Sequence, residues 1–232
     1  MGDSRAAIVS GATGGLGPAV VSGLLRAGWR VAVPYRSADA FRRLSAALGT
    51  PPALTGAAAD LEDPASVERF VAAAVGLLGR LDGVAALAGG YAGSGPLDLA
   101  PVDEWRRMLA VNLDTAWALC RAAVPRLGRG GSVVLVSSRL VQAGGAGAAA
   151  YAVSKAGVEA LTRALAAENA ARGVRVNCIQ PGTIDTTANR AAMPDADRSG
   201  WTPPERLAAV IAFLLSPDSA PLTGAVLPVA GS

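Results

Sequence analysis

Short apolar runs alternate with longer stretches of helical periodicity along the whole chain. The apolar runs predict seven strands, at residues 6–10, 30–35, 53–59, 83–87, 132–137, 174–180 and 225–229. The periodic stretches predict helices at residues 15–27, 38–48, 64–78, 102–124, 149–171 and 203–215. Strands that alternate with helices form a parallel sheet covered on both faces. We therefore expect an α/β fold with one doubly wound domain over residues 1–232.

One connection differs from the others in its length. Residues 183–202 carry small and polar side chains without a clear period, and at about 20 residues the segment exceeds an ordinary connection. Long loops on a rigid scaffold commonly carry binding residues. The segment is therefore a candidate lid or substrate loop.

A glycine-rich turn follows the first predicted strand. Residues 10–17 are SGATGGLG, and a helix is predicted to begin there. The glycines let the backbone turn tightly and approach a pyrophosphate, whose charge the free amides of the helix start would hold. The predicted phosphate-binding residues are Gly11, Thr13, Gly15, Leu16 and Gly17. An ordinary strand–helix turn in a glycine-rich chain is the alternative.

The end of the second strand indicates which dinucleotide binds. An acidic residue there would hold a ribose 2′-hydroxyl, whereas an arginine accommodates a 2′-phosphate. The chain has Arg36 and Ser37 and no acid before Asp39, which favours NADP(H) and leaves NAD(H) as the second choice. Asp60 and Leu61, after the third strand, are placed to contact adenine. A solvated arginine and an ordinary strand-end aspartate are the alternatives.

Composition restricts the proton chemistry. The chain has no histidine, which excludes a Ser-His-Asp triad, a Cys-His dyad and a His-ligated metal site, and no metal is expected. Lys155 is the only lysine among 21 basic residues, and it follows Tyr151 by four positions on one helix face. A nearby ammonium favours the phenolate and lowers the pKa of a tyrosine. The pair predicts an acid/base for a carbonyl or alcohol, and a solvated lysine is the alternative.

Two further polar positions accompany this pair. Ser138 ends the fifth strand, where its hydroxyl is placed to bond a substrate oxygen that develops negative charge. Because strand residues alternate between faces, only one of Ser137 and Ser138 should point into the site. Asn112 lies in the middle of a predicted long helix, where a buried amide needs partners. A water linking it to Lys155 would supply one, and a satisfied core amide is the alternative.

Charge and hydropathy exclude other classes of partner. The net charge of +3 is small and the arginines are scattered, so no nucleic-acid binding is expected. Charged residues, Gly or Pro interrupt every long apolar run, so no membrane span is expected. Met1 to Arg5 lead into the first strand without a secretory segment, and two cysteines make no disulfide framework. We expect a cytoplasmic protein.

Taken together, these residues resemble the short-chain dehydrogenase/reductase family over essentially the whole chain. The matching positions are Gly11, Gly15, Gly17, Asp60, Asn112, Ser138, Tyr151, Lys155, NCIQPG at residues 177–182 and LTG at residues 222–224. The resemblance implies a Rossmann-type domain of seven parallel strands, nicotinamide-dependent carbonyl/alcohol chemistry, and a homodimer or homotetramer. It also implies that Ile184 and Thr186, after Pro181 and Gly182, hold the nicotinamide carboxamide and phosphates.

The chain departs from the family pattern after the fourth strand. In place of Asn-Asn-Ala-Gly it has Ala86-Leu87-Ala88-Gly89, which lacks both asparagine side chains, while Gly89 still allows close backbone approach. Residues 88–93 and 189–203 are similar to the dihydropteridine reductase branch. That branch favours NADH through an acidic residue and commonly lacks the serine. Arg36 and Ser138 of this chain do not follow it.

The main prediction is an NADP(H)-preferring short-chain carbonyl reductase or alcohol dehydrogenase. Tyr151 is the acid/base, while Lys155 lowers its pKa, and both contact the cofactor. Ser138 stabilises the substrate oxygen, and Asn112 anchors the proton relay. The residues expected to line the substrate pocket are Tyr91, Arg139, Gln142, Met193 and Trp201. Ring ketones, acyl thioesters, pterins and sugars are all compatible substrates.

Three other functions are open at this point. They are a dihydropteridine-reductase-like enzyme that uses NADH, a dinucleotide-sensing protein without turnover, and a dehydratase or epimerase with Tyr151 as its base. The alanine-rich faces of the helices predicted at residues 102–124 and 149–171 would pack across a two-fold axis in an oligomer. Covering the sheet of a monomer would use such faces too.

Overall fold

The fold of the computed structural model, which describes residues 4–231, is the predicted α/β arrangement. Seven strands form one parallel sheet in the order β3-β2-β1-β4-β5-β6-β7. They are β1 (Ala6–Ser10), β2 (Arg30–Tyr35), β3 (Leu54–Ala58), β4 (Gly83–Ala86), β5 (Ser132–Val136), β6 (Arg175–Pro181) and β7 (Val226–Val229). Residues 1–3, at the start of the predicted domain, and residue 232, at its end, lie outside the described part.

The connections between strands are mostly helical. The α-helices are α1 (Gly17–Arg26), α2 (Ala38–Ala47), α3 (Pro64–Leu78), α4 (Val102–Leu109), α5 (Thr115–Ala123), α6 (Ala149–Asn169), α7 (Thr187–Ala192) and α8 (Pro204–Leu215). Within residues 4–231, no helix combines the length and the apolar composition that a bilayer crossing requires.

Alternate residues of each strand enter two separate cores. In β1, Ala6 and Ile8 pack toward α3, α5 and α6, whereas Ala7 and Val9 pack toward α1 and α8. All four are fully buried, because helices cover both faces of the sheet. Ligands of such sheets bind beyond the carboxyl ends of the strands, so the site is expected at that edge.

The helix predicted at residues 102–124 is interrupted. After α4 the chain forms a π-helical turn at Ala110–Asp114 before α5 begins. This turn contains Asn112, whose side chain bonds to Gly90 and Ser154. The prediction of one continuous α-helix is wrong. The sequence does not show the π-helical turn, because one extra residue in a turn barely changes the apolar pattern. Such turns are frequent at functional sites.

Two other helices are shorter than predicted at the end nearest a turn. The first helix begins at Gly17, because the preceding residues form a turn in which the N–H of Gly14 donates to the carbonyl of Gly11 at 3.0 Å. The helix after β5 ends at Asn169 and continues as a 3-10 turn over Ala170–Arg172.

The segment 183–202 is more regular than predicted. It contains α7, capped by Thr186, whose hydroxyl accepts from the N–H of Asn189 at 3.1 Å. A bridge pairs Ile184 with the buried Thr202 and holds the two ends of the segment together. The prediction of an irregular stretch is wrong here, because a helix of six residues is too short to show a period.

Candidate active site

The turn after β1 packs directly on the loop after β4. Gly11 has a φ of 65°, and a Cβ atom there would lie 2.7 Å from the backbone nitrogen of Ala88, so only glycine fits. Ser10 accepts hydrogen bonds from the N–H groups of Leu87 at 3.2 Å and Ala88 at 3.3 Å. The Ser10 hydroxyl therefore braces the loop in which the family's two asparagines are missing.

The other two glycines of the turn meet different neighbours. A Cβ atom at Gly15 would lie 2.6 Å from Cγ2 of Thr186, which brings the phosphate turn against the residue that caps α7. A Cβ atom at Gly17 would overlap the backbone of Ala12. Gly17 and the buried Leu16 thus pack the start of α1, whereas Gly15 connects two predicted cofactor positions.

A cleft of about 480 Å³ opens beside this turn, at the carboxyl ends of the first four strands. The predicted residues on its wall are Gly11, Thr13, Arg36, Ser37, Asp60, Leu61, Ala88, Gly89 and Tyr91. The predicted cofactor residues outside its wall are Gly15, Leu16, Gly17, Tyr151, Lys155, Pro181, Gly182, Ile184 and Thr186. The structure thus brings the predicted adenosine-side residues together in one cleft.

Sequence reasoning missed another part of this wall. The missed residues are Gly14, Pro34, Tyr35, Ala59, Glu62, Gly90, Arg107, Met108, Val111 and Thr115. Arg107, Val111 and Thr115 recur every four residues through α4, the π-helical turn and the start of α5. Side chains at this spacing share one helix face, so the pattern around Asn112 was a usable signal.

Charged groups at the end of β2 are arranged for an anion. Arg36 is exposed, and within residues 4–231 no carboxylate lies within ion-pair distance of it. The nearest acid in sequence, Asp39, pairs instead with Arg42. Ser37 caps α2 by accepting from the N–H of Ala40 at 3.2 Å. At the end of the neighbouring strand β3, the exposed Asp60 closes a turn by accepting from the N–H of Glu62 at 3.0 Å.

Tyr151 and Lys155 lie in the first turns of α6. Lys155 is 6% exposed, and its Nζ donates to the carbonyl of Val136 at 2.9 Å. Nζ also lies 5.9 Å from the centre of the Tyr151 ring. A Cβ atom at Gly89 would lie 3.2 Å from Nζ, so the ammonium reaches the loop after β4. The only lysine of the chain is therefore a buried group beside the predicted acid/base.

The protonation of the pair differs from the sequence-based prediction. Burial raises the pKa of Tyr151, and its hydrogen bond with Ser138 opposes that rise, while the nearby Tyr91 adds to it. Burial lowers the pKa of Lys155 to about 8. The predicted lowering of the Tyr151 pKa by Lys155 is wrong for this structure, because the loss of hydration around the phenol dominates.

The two adjacent serines point to opposite sides, as predicted. Ser137 is buried, and its single O–H is shared between two acceptors, Oε1 of Glu159 at 2.8 Å and the carbonyl of Lys155 at 3.1 Å. Ser138 lies on the side of Tyr151 instead, close enough to lower the pKa of its phenol. Its Oγ also accepts from the N–H of Leu140 at 3.2 Å, which starts a 3-10 turn at Arg139–Val141. Ser138 is therefore the serine that faces the candidate site.

Asn112 joins the π-helical turn to the site. Its Nδ2 donates to the carbonyl of Gly90 at 3.0 Å and to Oγ of Ser154 at 3.1 Å, and its Oδ1 accepts from the N–H of Gly90 at 2.9 Å. A Cβ atom at Gly89 would lie 2.5 Å from Oδ1. The buried amide is thus satisfied by protein groups, and both Oδ1 of Asn112 and Nζ of Lys155 approach the same side of Gly89.

The predicted substrate residues fall into two groups. Tyr91 packs its ring edge-on against Tyr151, with 5.0 Å between ring centres. Arg139 lies beside Gly182, whose Cβ atom would be 3.9 Å from Cδ of the arginine. Gln142 donates through Nε2 to Oε1 of Gln180 at 2.8 Å. These residues lie at the same edge of the sheet as Tyr151.

The second group belongs to the segment 183–202. Met193 follows α7, and its N–H donates to the carbonyl of Asn189 at 2.9 Å. Trp201 carries the guanidinium of Arg198 over its ring at 5.7 Å. Their contact with a substrate stays a prediction. Among residues 4–231, no group of three or more Cys, Asp or Glu side chains is placed to hold a metal ion.

Comparisons with known proteins cover nearly the full chain. The family model described as "Enoyl-(Acyl carrier protein) reductase" matches residues 11–231. The chain is 33% identical over 242 residues to "Dehydrogenase/reductase SDR family member 4" of Bos taurus, with 99% of this chain and 87% of that protein covered. It is 34% identical over 246 residues to "L-rhamnose 1-dehydrogenase (NAD(P)(+))" of Sphingomonas sp. (strain SKA58), with 99% and 96% covered.

A solved structure gives the same result. The short-chain dehydrogenase/reductase from Serratia marcescens BCRC 10948 has a TM-score of 0.89 and 31% identity, with 97% of this chain and 96% of that chain covered. Fold, site and relatives define an NAD(P)-dependent oxidoreductase. The chain belongs to the short-chain dehydrogenase/reductase family, as the sequence predicted. All three relatives are named as dehydrogenases or reductases.

Proposed function

We propose that the protein is an NADP(H)-preferring oxidoreductase that transfers hydride between nicotinamide and a carbonyl or alcohol, with Tyr151 as the acid/base. One observation carries this proposal. The Ser138 hydroxyl lies close enough to the phenol of Tyr151 to oppose the rise of its pKa, and the ammonium of Lys155 is buried 5.9 Å from the centre of the Tyr151 ring. A proton donor, a second hydroxyl for the substrate oxygen and a cation are thus assembled in one place.

The described residues fit a nicotinamide dinucleotide. The glycines let the turn pack closely against Ala88 and Thr186, and the cleft beside Gly11 and Thr13 offers phosphate oxygens a place near backbone amides. Bound there, the cofactor supplies or accepts the hydride. The residues proposed to hold its phosphates and nucleoside are Gly11, Thr13, Gly15, Leu16, Gly17, Asp60, Leu61, Ala88, Gly89 and Thr186. Those proposed for the nicotinamide end are Tyr151, Lys155, Pro181, Gly182 and Ile184.

Tyr151 and Ser138 act on the substrate oxygen. In reduction, Oη of Tyr151 donates its proton to that oxygen, while Ser138 donates a hydrogen bond as negative charge develops. The raised pKa of Tyr151 keeps the phenol protonated at neutral pH, which suits the acid role. Oxidation of an alcohol needs the phenolate, so we expect oxidation to accelerate as the pH rises.

Lys155 and Asn112 complete the proton path in this proposal. Below its pKa of about 8, Lys155 carries a positive charge, and this charge favours the phenolate of Tyr151 over the phenol. Oδ1 of Asn112 keeps one lone pair beyond its bond to Gly90, on the side of Gly89 that Nζ also approaches. We assign Asn112 to anchoring the relay between Lys155 and solvent.

The cofactor preference rests on Arg36. This arginine is exposed at the end of β2 and is free of carboxylates within residues 4–231. A guanidinium in that state matches a 2′-phosphate, and Ser37 adds a hydroxyl. The alternative enzyme of the dihydropteridine reductase type would need an acidic residue there to hold the 2′-hydroxyl of NADH. Use of NAD(H) as a second cofactor is compatible with the name of the rhamnose dehydrogenase relative.

The assay that tests this function is cofactor oxidation with a panel of carbonyl compounds, followed at the nicotinamide absorbance. We expect NADPH to be consumed in proportion to the alcohol formed. Conversion of a compound with unchanged cofactor would contradict hydride transfer. Tight NADPH binding without conversion of any compound would indicate a sensing protein instead.

We also propose a homodimer or homotetramer. Trp117 on α5 is 44% exposed under the guanidinium of Arg121, and Val153 on α6 is 46% exposed. Large apolar side chains on two neighbouring helices suit a two-fold interface. Sedimentation equilibrium tests this directly, and a monomer would contradict it. The cytoplasmic location stays a prediction.

A further inference from the structure

A chain of polar side chains runs from the middle of α6 to the turn after β5. Glu159 is 8% exposed and Gln180, near the end of β6, is 1% exposed. Nε2 of Gln180 donates to Oε1 of Glu159 at 2.6 Å, and Nε2 of Gln142 donates to Oε1 of Gln180 at 2.8 Å. The same Oε1 of Glu159 accepts from Ser137 at 2.8 Å. The chain ends at Gln142, which is exposed.

Glu159 sets the direction of every bond in this chain. A carboxylate only accepts hydrogen bonds, so Gln180 must turn its amide nitrogen toward it. The carbonyl oxygen of Gln180 then faces Gln142, which must present its own nitrogen. Oε1 of Gln142 is left outside the chain as a hydrogen-bond acceptor. The orientation of a surface amide is thus fixed from the interior.

The buried part of the chain is fully bonded. Burying a carboxylate and an amide is costly unless both have partners. Glu159 accepts two hydrogen bonds and has Nη2 of Arg163 at 3.8 Å from its other oxygen. A satisfied polar network of this kind specifies one arrangement. Gln142 is exposed and could be solvated without the buried partners Gln180 and Glu159. That they fix the orientation of its amide points to a role in binding a ligand.

Gln142 lies close to the candidate active site. The 3-10 turn at Arg139–Val141 begins directly after Ser138, and the N–H of Gln142 donates to the carbonyl of Arg139 at 3.1 Å. Gln180 precedes Pro181 and Gly182, the proposed nicotinamide positions. Gln142 is therefore one turn away from the serine that is proposed to hold the reacting oxygen.

We propose that Gln142 recognises a second oxygen of the substrate and that Gln180 and Glu159 are positioning residues for it. Beyond its bond to Gln180, Gln142 presents Oε1 as an acceptor and the second N–H of Nε2 as a donor, and a hydroxyl group, which both donates and accepts, matches this pair. The substrate class is therefore an alcohol or ketone with a hydroxyl on the carbon next to the reacting carbon. This inference rests on the proposed function and narrows its substrate. In the oxidation, the hydride leaves carbon for nicotinamide and the hydroxyl proton goes to Tyr151.

Two alcohols that differ by one hydroxyl test the inference. The probes are cis-1,2-cyclohexanediol and cyclohexanol, each oxidised with NADP⁺, and the quantity is the ratio of their kcat/KM values. The wild type should prefer the diol. Gln142→Leu keeps a similar volume and removes the acceptor, so the ratio should fall by about tenfold, the value of one hydrogen bond. The loss should appear mainly in KM for the diol.

Glu159→Gln tests the positioning role. Its amide both donates and accepts, so both glutamines are free to reverse, and the ratio should fall by about threefold to tenfold. Glu168→Gln is the matched control, since it makes the same change at an exposed position of the same helix. In the Gln142→Leu background, Glu159→Gln should change the ratio no further, because its effect on the ratio passes through Gln142. A general structural defect would lower the ratio in both backgrounds.

The outcomes separate this inference from the proposed function. Oxidation of both alcohols with a ratio that neither substitution changes would overturn the inference and leave the proposed function intact. An additive effect of Glu159→Gln in the leucine background would also overturn the positioning role. No oxidation of either alcohol by the wild type would count against the proposed function itself and would remove the basis of the inference.

Discussion

Asn112 and Gly90 hold each other through a pair of hydrogen bonds. The N–H of Gly90 donates to Oδ1 of Asn112 at 2.9 Å, and Nδ2 of Asn112 donates to the carbonyl of Gly90 at 3.0 Å. The side-chain amide therefore makes the same two hydrogen bonds with the backbone of Gly90, one donated and one accepted, that a residue of a paired strand would make. This pair fixes the π-helical turn relative to the cleft and to Gly89.

Replacement of Asn112 by alanine should destabilise the fold. The substitution removes the side-chain partner of the N–H and carbonyl of Gly90 and opens space beside the buried Ser154, whose hydroxyl keeps only its bond to the carbonyl of Tyr151. We expect the free energy of unfolding to fall by about 2–3 kcal/mol, measured by urea denaturation. Asn189→Ala is the control, because Asn189 is only half-buried and its side chain bonds one carbonyl, that of Ile184. Equal losses in the two variants would contradict this role.

Gly89 and Gly90 make a matched pair for the cofactor site. A Cβ atom at Gly89 would lie 2.5 Å from Oδ1 of Asn112 and 3.2 Å from Nζ of Lys155, whereas at Gly90 its nearest neighbour is Cγ2 of Val111 at 3.8 Å. Gly89→Ala should weaken NADPH binding by about tenfold or more, the cost of one crowded methyl group. Gly90→Ala should have a smaller effect. Calorimetric titration with NADPH compares them, and a larger loss at Gly90 would exclude the predicted crowding.

The single lysine gives a pH test that needs no substrate. Burial lowers the pKa of Lys155 from its ordinary 10.5 to about 8. Between these values the unfolded chain binds a proton that the folded chain has released, so this residue adds stability as the pH rises. The unfolding free energy of the wild type minus that of Lys155→Met should therefore increase by about 2–3 kcal/mol from pH 8 to pH 10.5. Parallel pH curves for the two proteins would show that Lys155 titrates normally.

Arg36 should decide the choice of dinucleotide. Arg36→Asp removes the proposed partner of the 2′-phosphate and places a carboxylate where a 2′-hydroxyl would lie. The ratio of kcat/KM with NADPH to that with NADH should fall by about tenfold to hundredfold. Arg43→Asp makes the same charge change at an exposed position on α2 and serves as the control. Intact NADPH affinity in Arg36→Asp would mean that another group binds the phosphate.

The layers of the fold were predictable because they follow from local periodicity. The alternation of side chains along a strand places Ala6 and Ile8 on one face of β1 and Ala7 and Val9 on the other, and the same alternation predicted that Ser137 and Ser138 diverge. The glycine turn and the Tyr151–Lys155 spacing are also local signals. Sequence reasoning therefore placed the adenosine-side residues and the proposed acid/base at one edge of the sheet.

The structural features that sequence reasoning missed depend on residues that are distant in sequence. The π-helical turn accommodates Asn112, whose partner Gly90 lies 22 residues away. The link from Gln142 to Gln180 and Glu159 joins three elements, and no local pattern indicates it. The direction of the Tyr151 pKa shift follows from how deeply the phenol is buried, which spacing to Lys155 does not reveal.

The most direct test of the proposed chemistry is the reductase activity of Tyr151→Phe with NADPH and a carbonyl compound that the wild type reduces. The substitution removes only the phenolic oxygen, so NADPH affinity should stay within about tenfold of wild type. The loss of the proton donor should lower kcat/KM by about 10²–10⁴-fold. A Tyr151→Phe protein that reduces the same compound at the wild-type rate would contradict Tyr151 as the acid/base.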